Sequence, residues 1–381
     1  MPLVQFDRPV PAPTSELQPA DALRTFVFMA NLAAQEASGD PAASTSIQRV
    51  LVRMKGSSES DTVLLGLADS APPLAELSPV GLPLVPSSAH DHEPELSYRG
   101  FVHVGFNLQE ERHIAECECV LDVELLPLPG EPFSAEGEST THELYEAAEW
   151  LGAQQGRSIM QTGLLHSSEL TPEEDPQSAL LLKRGYVRKL AETQVVHDVK
   201  HDSAQIRNFG TARLRFTIAE DYDIPNELVD GVLELLTVAS EDAPRDELSF
   251  EKISWTRKRL TEAAARQRDR NAHTILVIAS IDSVVVCLAE LSRHAGSNPE
   301  VAEWSLIVTG REHRKNGIAS ATQDVAMREL TERWPDVQRI YANHVTSDKA
   351  ITSLLSRYGA RVLSHSTVWE KPLTPPRLSQ R

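Results

Sequence analysis

The alternation of apolar and polar positions is clearest between Trp304 and Leu330. An apolar run ends at Thr309, a basic segment follows, and Gly317 precedes a stretch with a four-residue repeat. Such a repeat places side chains along one face of a helix. The pattern therefore predicts a strand, a basic loop containing a glycine, and an amphipathic helix. The repeated helix positions are Ile318, Thr322, Ala326 and Leu330.

The same kind of pattern predicts the order strand-helix-helix-strand-strand-strand-helix-strand-helix-strand in both halves of the chain. The predicted segments of the first half are an extended stretch at 2–12, helices at 21–37 and 44–55, a strand at 62–68, a loop at 70–97, strands at 98–107 and 114–128, a loop at 127–140, a helix at 142–154, a strand at 158–164, a helix at 178–183 and an extended stretch at 187–199. Those of the second half are a strand at 213–219, helices at 227–239 and 255–266, strands at 274–281, 283–292 and 303–309, the helix described above, a strand at 339–345, a helix at 347–356 and an extended stretch at 361–370.

The repeated order indicates an internal duplication at the scale of half the chain. Two similar segments, Leu182–Tyr186 and Leu355–Gly359, end matching short helices. We expect the boundary between the halves within 200–210. The predicted domains are therefore 1–202 and 203–371, followed by a loose tail at 372–381.

Composition and charge narrow the class of protein. The chain has 381 residues, 41% of them apolar, and a net charge of −18. Residues 1–200 carry 30 acidic and 13 basic side chains, whereas residues 201–381 carry 25 and 24. An acidic first half argues against broad nucleic-acid binding, and the near-neutral second half is the better host for an anionic ligand.

No apolar run approaches the roughly 18 residues of a membrane span, and the first residues do not resemble a secretory signal. We therefore expect a cytoplasmic protein without a membrane partner.

No metal site is predicted. The three cysteines show neither a disulfide framework nor the spacing of metal ligands. The cluster His90-Asp91-His92 contains ligand-type residues, but it lies in a loop by composition and has no further ligand group nearby. An exposed loop is the favoured interpretation of that cluster.

The predicted helix start after the basic loop is suited to an anion. The first N–H groups of a helix lack intrahelical acceptors, and its dipole makes that end positive. Gly317 would let a ligand approach the backbone, and Arg314 and Lys315 add positive charge. The alternative is a solvated basic loop with a simple turn at the glycine. The segment has neither the nucleoside-triphosphatase pattern G-x-x-x-x-G-K-[ST] nor the dinucleotide pattern G-x-G-x-x-G.

The remaining pattern is R-x-x-G-x-A at residues 314–319. It resembles the acyl-CoA pyrophosphate loop, Q/R-x-x-G-x-G/A, of the GCN5-related N-acetyltransferases (GNAT). The tandem arrangement is similar to that of mycothiol synthase and its actinobacterial relatives. The resemblance implies an α/β (α+β) fold with two tandem GNAT-like domains, each a mixed, mostly antiparallel sheet flanked by helices.

The resemblance also assigns expected roles to residues of the second half. Backbone N–H groups of the loop would hold the pyrophosphate of acetyl-CoA, the strand end would bond the pantetheine arm and face the thioester oxygen, and two later polar residues would contact the pantetheine and thiol end. In that order these residues are Arg314, Lys315, Asn316, Gly317, Ile318, Ala319 and Ser320 for the loop, Val308 and Thr309 for the strand end, and Asn343 and Ser347 for the later pair.

Two positions depart from the family pattern. The first half has no R-x-x-G-x-G/A and carries Glu131, Glu136 and Glu138 at the matching place, so we expect it to bind no CoA and to have a structural or gating role. Many family members have a tyrosine four residues before the glycine that ends the last helix, to protonate the departing thiolate. Here that position is Leu355, whereas Tyr358 adjoins the glycine and is expected to serve packing.

Acetyl transfer to an amine requires a positioned thioester, stabilisation of its oxygen and a base. The candidate bases are Glu303 and Glu290, directly or through water, and then His344; each of them has an alternative as an ordinary strand residue. We expect an acetyl-CoA-dependent N-acetyltransferase acting on a small amine, as a monomer or homodimer. A non-catalytic acyl-CoA-binding or protein-interaction module is the alternative.

Overall fold

The computed structural model describes residues 1–9, 18–73, 75–89, 95–199, 214–294 and 298–374. These residues form two compact units. Unit 1 comprises Met1–Ala191, Asp246–Phe250 and the chain from Ser364 onward, and unit 2 comprises Glu192–Arg245 and Glu251–Leu363. The predicted boundary within 200–210 and the cluster at 90–92 lie outside the described residues. The division into domains at 202/203 therefore stays a prediction.

Unit 1 is a sheet covered by helices on both faces. Its strand order is β3-β1-β2-β4-β5-β6-β13, and β5–β6 and β1–β3 are its parallel pairs. The elements in chain order are β1 (Leu3–Phe6), α1 (Asp21–Ser38), α2 (Ile47–Lys55), β2 (Ser60–Ala68), β3 (Leu84–Val85), β4 (Tyr98–Asn107), β5 (Ile114–Leu121), α3 (Ala135–Gln154), β6 (Ile159–Ser167), α4 (Pro176–Lys183), the start of β7 (Val187–Asp198) and, from Ser364 onward, β13 (Arg361–Pro372).

Two apolar clusters fill unit 1, one on each face of β4. Phe101 packs with the buried faces of α1 and α2, and Val102 packs with α3. Because neighbouring strand residues point to opposite faces, one strand supplies both cores. The last strand of the unit is formed by Ser364–Pro372, which pair antiparallel with Ile159–Ser167 of β6.

Unit 2 repeats this architecture. Its strand order is β7-β12-β11-β10-β9-β8, beginning with the part of β7 from Glu192 onward, and β11–β12 is its parallel pair. Its further elements are β8 (Leu214–Glu220), α5 (Asn226–Asp242), α6 (Arg257–Asp269), β9 (Ala272–Ile281), β10 (Val284–His294), β11 (Val301–Thr309), a 3₁₀ turn (Arg311–His313), α7 (Ile318–Arg333), β12 (Arg339–Val345), α8 (Lys349–Ser356) and the first residues of β13.

The two faces of the unit 2 sheet are covered by different helices. Leu276 and Leu288 pack with α5 and α6, whereas Ile275 and Ala289 pack with α7. The predicted inward face of α7 is confirmed, since all four of its repeated positions are buried. The expected mixed, mostly antiparallel sheets with flanking helices are likewise confirmed.

Several predicted element boundaries were wrong. Helix α3 begins at Ala135 rather than 142, because the Ser134 hydroxyl caps it by accepting from the Gly137 N–H. Strand β5 ends at Leu121 rather than 128, and the predicted loop at 70–97 contains β3. Helices α2 and α8 begin three and two residues later than predicted, after the caps Ser46 and Asp348.

No helix among the described residues is long and apolar enough to cross a membrane. Within the same ranges, no group of three or more His, Cys, Asp and Glu side chains is arranged to hold a metal ion.

Candidate functional site

The central feature of unit 2 is a gap between β11 and β12. These parallel strands pair only from Val301↔Arg339 to Glu303↔Tyr341. Beyond that point β11 follows β10 as far as Thr309, while β12 follows β7. Their C-terminal halves share no ladder, so the sheet opens between them. Ligands in open α/β sheets bind at such places outside the carboxyl ends of strands.

A β-bulge in β11 accompanies the opening. Leu291 pairs with Trp304 and Glu290 pairs with Leu306, so Ser305 is an extra residue opposite β10. A bulge bends its strand and increases the local twist. It lies two residues beyond the last β11–β12 pair, where the two strands begin to diverge.

The amide of Thr309 points into the gap. The Gly310 N–H donates to the Val286 carbonyl across 2.9 Å, and hydrogen bonding alternates along an antiparallel ladder. The Val308 backbone therefore turns towards β10 and that of Thr309 turns away from it. Consistent with this, the Thr309 carbonyl accepts from Arg314 Nε at 3.1 Å. Of the two predicted strand-end amides, that of Thr309 faces the gap.

The loop after β11 ends in an open helix start. Lys315 has φ 64° and Gly317 has φ 76°, both in the left-handed region that favours glycine. Gly317 caps α7 without any side-chain hydrogen bond, and the Ala321 N–H is the first to find its carbonyl, at 3.0 Å. Such a start is an anion site of backbone donors. The N–H groups without an intrahelical acceptor are those of Ile318, Ala319 and Ser320.

Carboxylates from the end of α5 hold the arginines of the loop. Arg311 contacts Glu241 at 2.7 Å and Asp242 at 2.6 Å, and Arg314 contacts Asp242 at 2.5 Å. The hydrogen bonds from Arg311 and Arg314 lower the pKa of Asp242 to about 2. Lys315 is exposed and forms no ion pair within the described ranges. The loop is therefore less positive than its sequence indicates.

The two later polar residues predicted to contact the pantetheine lie at the C-terminal end of β12. Asn343 is exposed on the strand, and Ser347 is exposed just before α8. Helix α8 is capped by Asp348, which accepts from the N–H groups of Ala350 and Ile351, so Ser347 precedes the cap rather than opening the helix.

Glu290 and Glu303 share one face of the sheet. Glu303 lies opposite Ser292, which is two residues from Glu290 on β10, and residues two apart on a strand point the same way. Glu290 is 6% exposed and accepts from the Tyr222 hydroxyl at 2.8 Å. Burial raises the pKa of Glu290 to about 7, although the Tyr222 hydrogen bond lowers it. A carboxyl with such a pKa is suited to take up a proton near neutral pH.

His344 is placed apart from these two carboxylates. In β12, Tyr341 lies in register with Glu303, so alternation puts His344 on the opposite face of the sheet. Its ring is buried, and Nδ1 lies 3.0 Å from the Val345 carbonyl. The structure thus places Glu290 and Glu303 on the same face of the sheet and His344 on the α7 face.

Two residues of the site were missed at the sequence level. Tyr222 and Asp242 are 68 and 69 residues from their partners Glu290 and Arg311. Asp242 ends a helix in an acidic run, and Tyr222 stands in the turn E-D-Y-D before Pro225. Neither local pattern signals a partner so far along the chain.

Tyr358 is in contact with both α7 and β7. Its hydroxyl donates to Asp324 of α7, which also binds Arg357 at 3.1 Å, and its ring stacks on His197 with centroids 5.7 Å apart. Leu355, at the position where the family pattern has a tyrosine, is buried in the apolar cluster.

Unit 1 contains an equivalent gap between two parallel strands, but its described lining is acidic. Strands β5 and β6 pair only from Ile114↔Ile159 to Cys117↔Thr162. The opening beyond them holds a cavity of about 170 Å³, bordered by α1, β5, β6 and the loop before α3. The ionisable acidic residues of its lining are Glu36, Glu118, Glu131 and Asp175, and the described lining includes no Lys or Arg.

The helix start beside this cavity is closed to anions. Ser134 caps α3, and the first turn carries Glu136 and Glu138. Arg99 binds Glu136 at 2.6 Å and Lys183 contacts Glu138 at 3.3 Å. The two carboxylates are therefore paired, and the cap itself removes one of the amides that α7 leaves open.

Comparison with known proteins gave structural likeness without sequence matches. No protein-family model and no curated protein matches the chain. The chain is similar to a tandem GNAT protein from the clavulanic acid biosynthesis pathway, with 14% identity, a TM-score of 0.66 and coverage of 98% of this chain and 99% of that one. A GCN5-related N-acetyltransferase from Sphaerobacter thermophilus gives 15% identity, a TM-score of 0.60 and coverage of 98% and 96%.

A third similar structure is the GCN5-related glucosamine N-acetyltransferase region of a fungal multi-domain GH3 β-N-acetylglucosaminidase. It has 12% identity and a TM-score of 0.51, with coverage of 91% of this chain and 37% of that one. At these identities the likeness concerns the fold. The chain has the tandem GNAT fold, as its loop motif and internal duplication predicted.

Proposed function

We propose that the protein is a cytoplasmic, acetyl-CoA-dependent N-acetyltransferase that transfers an acetyl group to a small amine, with the chemistry in unit 2. The observation that carries the proposal is the contrast between the two helix starts. Helix α7 presents open amides after a left-handed glycine at the mouth of a strand gap, whereas α3 is capped by a side chain. Unit 2 is therefore the host we assign to the diphosphate of acetyl-CoA.

We assign separate roles in acetyl transfer to the residues around the gap. Amides of the loop and first turn of α7, from Arg314 to Ser320, bind the diphosphate, and Asn343 and Ser347 contact the pantetheine end. The Thr309 amide donates to the thioester oxygen as negative charge develops there. Val308 supports this amide by packing its side chain into the core.

The proton of the attacking amine goes to a carboxylate on the α5–α6 face. Glu290 is the first choice because of its raised pKa, and Glu303 is the second. We do not assign His344 a role in this step, since it lies on the other face of the sheet. Because Leu355 cannot donate a proton, the departing thiolate takes its proton from another group or from water.

Replacement of Gly317 by glutamate tests the cofactor site. A carboxylate at the helix start would repel the diphosphate and occupy its place, so we expect Gly317→Glu to abolish acetyl-CoA binding in isothermal titration calorimetry. Gly156→Glu is the matched control, because Gly156, like Gly317, is an exposed glycine in the left-handed region, and a Cβ added at Gly156 would meet no atom within 4 Å. Equal affinity in wild type and Gly317→Glu would refute the site.

The second candidate is a non-catalytic acyl-CoA-binding or interaction module. The apolar Leu355 in place of a thiolate acid favours it. Incubation with acetyl-CoA and a panel containing an alkyl diamine, an amino sugar, an α-amino acid and an arylamine separates the two functions. Acetylated product that requires acetyl-CoA supports the enzyme, whereas binding without product from any amine supports the module.

A further inference from the structure

A strained turn lies between β8 and α5. Asp221 has φ 49° and Tyr222 has φ 64°, and the Asp223 N–H closes the turn on the Glu220 carbonyl at 2.8 Å. Left-handed conformations are costly for residues other than glycine, especially for a bulky aromatic residue. Such a turn persists only where its surroundings hold it.

Asp221 fixes the turn to the start of β9. Its Oδ1 accepts from the Thr274 N–H at 2.8 Å, and its own N–H donates to the Thr274 carbonyl at 3.2 Å. Its Oδ2 also lies 3.3 Å from His273 Nδ1. These contacts determine the backbone geometry just before Tyr222, so the direction of the Tyr222 side chain is set by the turn.

The turn directs the Tyr222 hydroxyl at Glu290. The hydroxyl donates to Glu290 Oε2 at 2.8 Å, and the Tyr222 ring packs against the apolar cluster under α5. No further partner of the Glu290 carboxylate is found among the described residues. One oxygen is thus held by Tyr222, and Oε1 is left for another donor.

We propose that Tyr222 is a positioning residue for Glu290: it anchors Oε2 and thereby presents Oε1 to the proton of the acceptor amine, directly or through one water. This inference rests on the proposed acetyl transfer. In that step the amine nitrogen bonds to the acetyl carbon, the carbon–sulfur bond breaks and its electron pair leaves with sulfur. Glu290 takes one proton of the amine and later releases it to solvent.

The groups around Glu290 determine how its pKa responds to the loss of the Tyr222 hydroxyl. Its neighbours in register are Leu276 on β9 and Leu306 on β11, and Glu303 lies on the same face of the sheet. The positive charge of Arg266 on α6 lowers the pKa of Tyr222, against the larger effect of burial, which raises it. Burial raises the pKa of Glu290 and the Tyr222 hydrogen bond opposes that rise. Loss of the hydroxyl therefore raises the pKa of Glu290 further.

The test is Tyr222→Phe in the full chain, which keeps the ring packing and removes only the hydroxyl. We follow the Glu290 carboxyl by carbon-13 NMR titration and assign its signal with Glu290→Gln. The expected midpoint moves to higher pH by about half to one unit, the size of one hydrogen bond. Tyr186→Phe is the matched control, since it removes a hydroxyl that donates to Glu149 at 3.1 Å in unit 1.

A second measurement separates positioning from mere packing. With the best amine of the panel, the acidic limb of the kcat/KM profile shifts upward in Tyr222→Phe by the same amount, while acetyl-CoA affinity at pH 8 is unchanged. An unmoved NMR midpoint overturns the proposal, and so does an acidic limb that survives in Glu290→Gln. If the wild type does not bind acetyl-CoA, the proposed function is refuted. The Tyr222–Glu290 interaction is still tested in that case, because the NMR titration of Glu290 needs no acetyl-CoA.

Discussion

At the level of single residues, Asp242 sets the charge that the basic loop presents to a ligand. It binds both Arg311 and Arg314 and lies at the C-terminal end of α5, where a carboxylate gains nothing from the helix dipole. A diphosphate beside the loop must compete with this carboxylate for the same guanidinium groups. The Asp242 carboxylate is thus expected to weaken the binding of an anionic ligand at the basic loop.

Substitution of Asp242 tests this competition. Asp242→Asn removes the competing charge and frees the arginines, so we expect acetyl-CoA affinity to rise about three- to tenfold at low ionic strength, consistent with partly screened surface charges. The gain shrinks as salt is added. Calorimetry at two salt concentrations measures both effects. Asp230→Asn is the control on the same helix, because Asp230 pairs with Arg257 at 2.7 Å; an equal gain there would contradict the argument.

Residues predictable from the sequence are those whose role is local. The glycine at the start of α7 and the buried face of that helix follow from spacing and from the chemistry of a helix start. Tyr222 and Asp242 were not predictable, because their contacts join segments almost 70 residues apart. Arg314 was predicted to add positive charge beside the helix start; its pairing with Asp242 and its hydrogen bond to the Thr309 carbonyl were not predictable from the sequence.

At the level of elements, the contact between α5 and β10 depends on a glycine. A Cβ built on Gly231 would lie 2.7 Å from Val285 Cγ2 and 2.9 Å from Val285 Cβ. The glycine therefore lets the helix approach the turn end of the β9–β10 hairpin closely. This packing helps to place α5, whose end carries Asp242.

Gly231→Ala should consequently reverse the usual rule for helices. Alanine ordinarily stabilises a helix by about 1 kcal/mol relative to glycine, but here overpacking should lower the free energy of unfolding by about 1–3 kcal/mol. Urea unfolding monitored by circular dichroism measures the change. In a Val285→Gly background, which removes both the Cγ2 and the Cβ that the added methyl would meet, the same substitution should become neutral or stabilising. A loss that persists in that background would exclude the clash as its cause.

The order of elements was predictable, whereas several ends were not. Alternating strands and four-residue helix spacing produce the same order in both halves. The start of α3 was missed because Pro127, Pro129 and Gly130 give the segment a loop composition, which conceals the cap at Ser134. Strand β3 was missed because its two residues pair with β1 and carry no periodic signal of their own.

At the level of the whole molecule, each unit includes one strand that comes from the other half of the sequence. In unit 2, Glu192–Asp198 pair with all seven residues of β12, and in unit 1, Ser364–Pro372 pair with all nine residues of β6. The duplication was predictable from repeated patterns. This assignment of the last strands was not, because both candidate strands have similar extended, partly apolar patterns and the choice is made by tertiary pairing.

The strand assignment determines how the chain tolerates division. A fragment of residues 203–371 lacks the neighbour of β12, and a fragment of 1–202 lacks the neighbour of β6. Each therefore exposes an unpaired sheet edge, which favours aggregation. We expect either fragment alone to aggregate or remain unfolded in size-exclusion chromatography and circular dichroism, and co-production of both to give a soluble complex. A 192–371 fragment, which restores the missing strand of unit 2, should be more soluble than 203–371. Cooperative unfolding of 203–371 alone would show instead that unit 2 does not need residues 192–198.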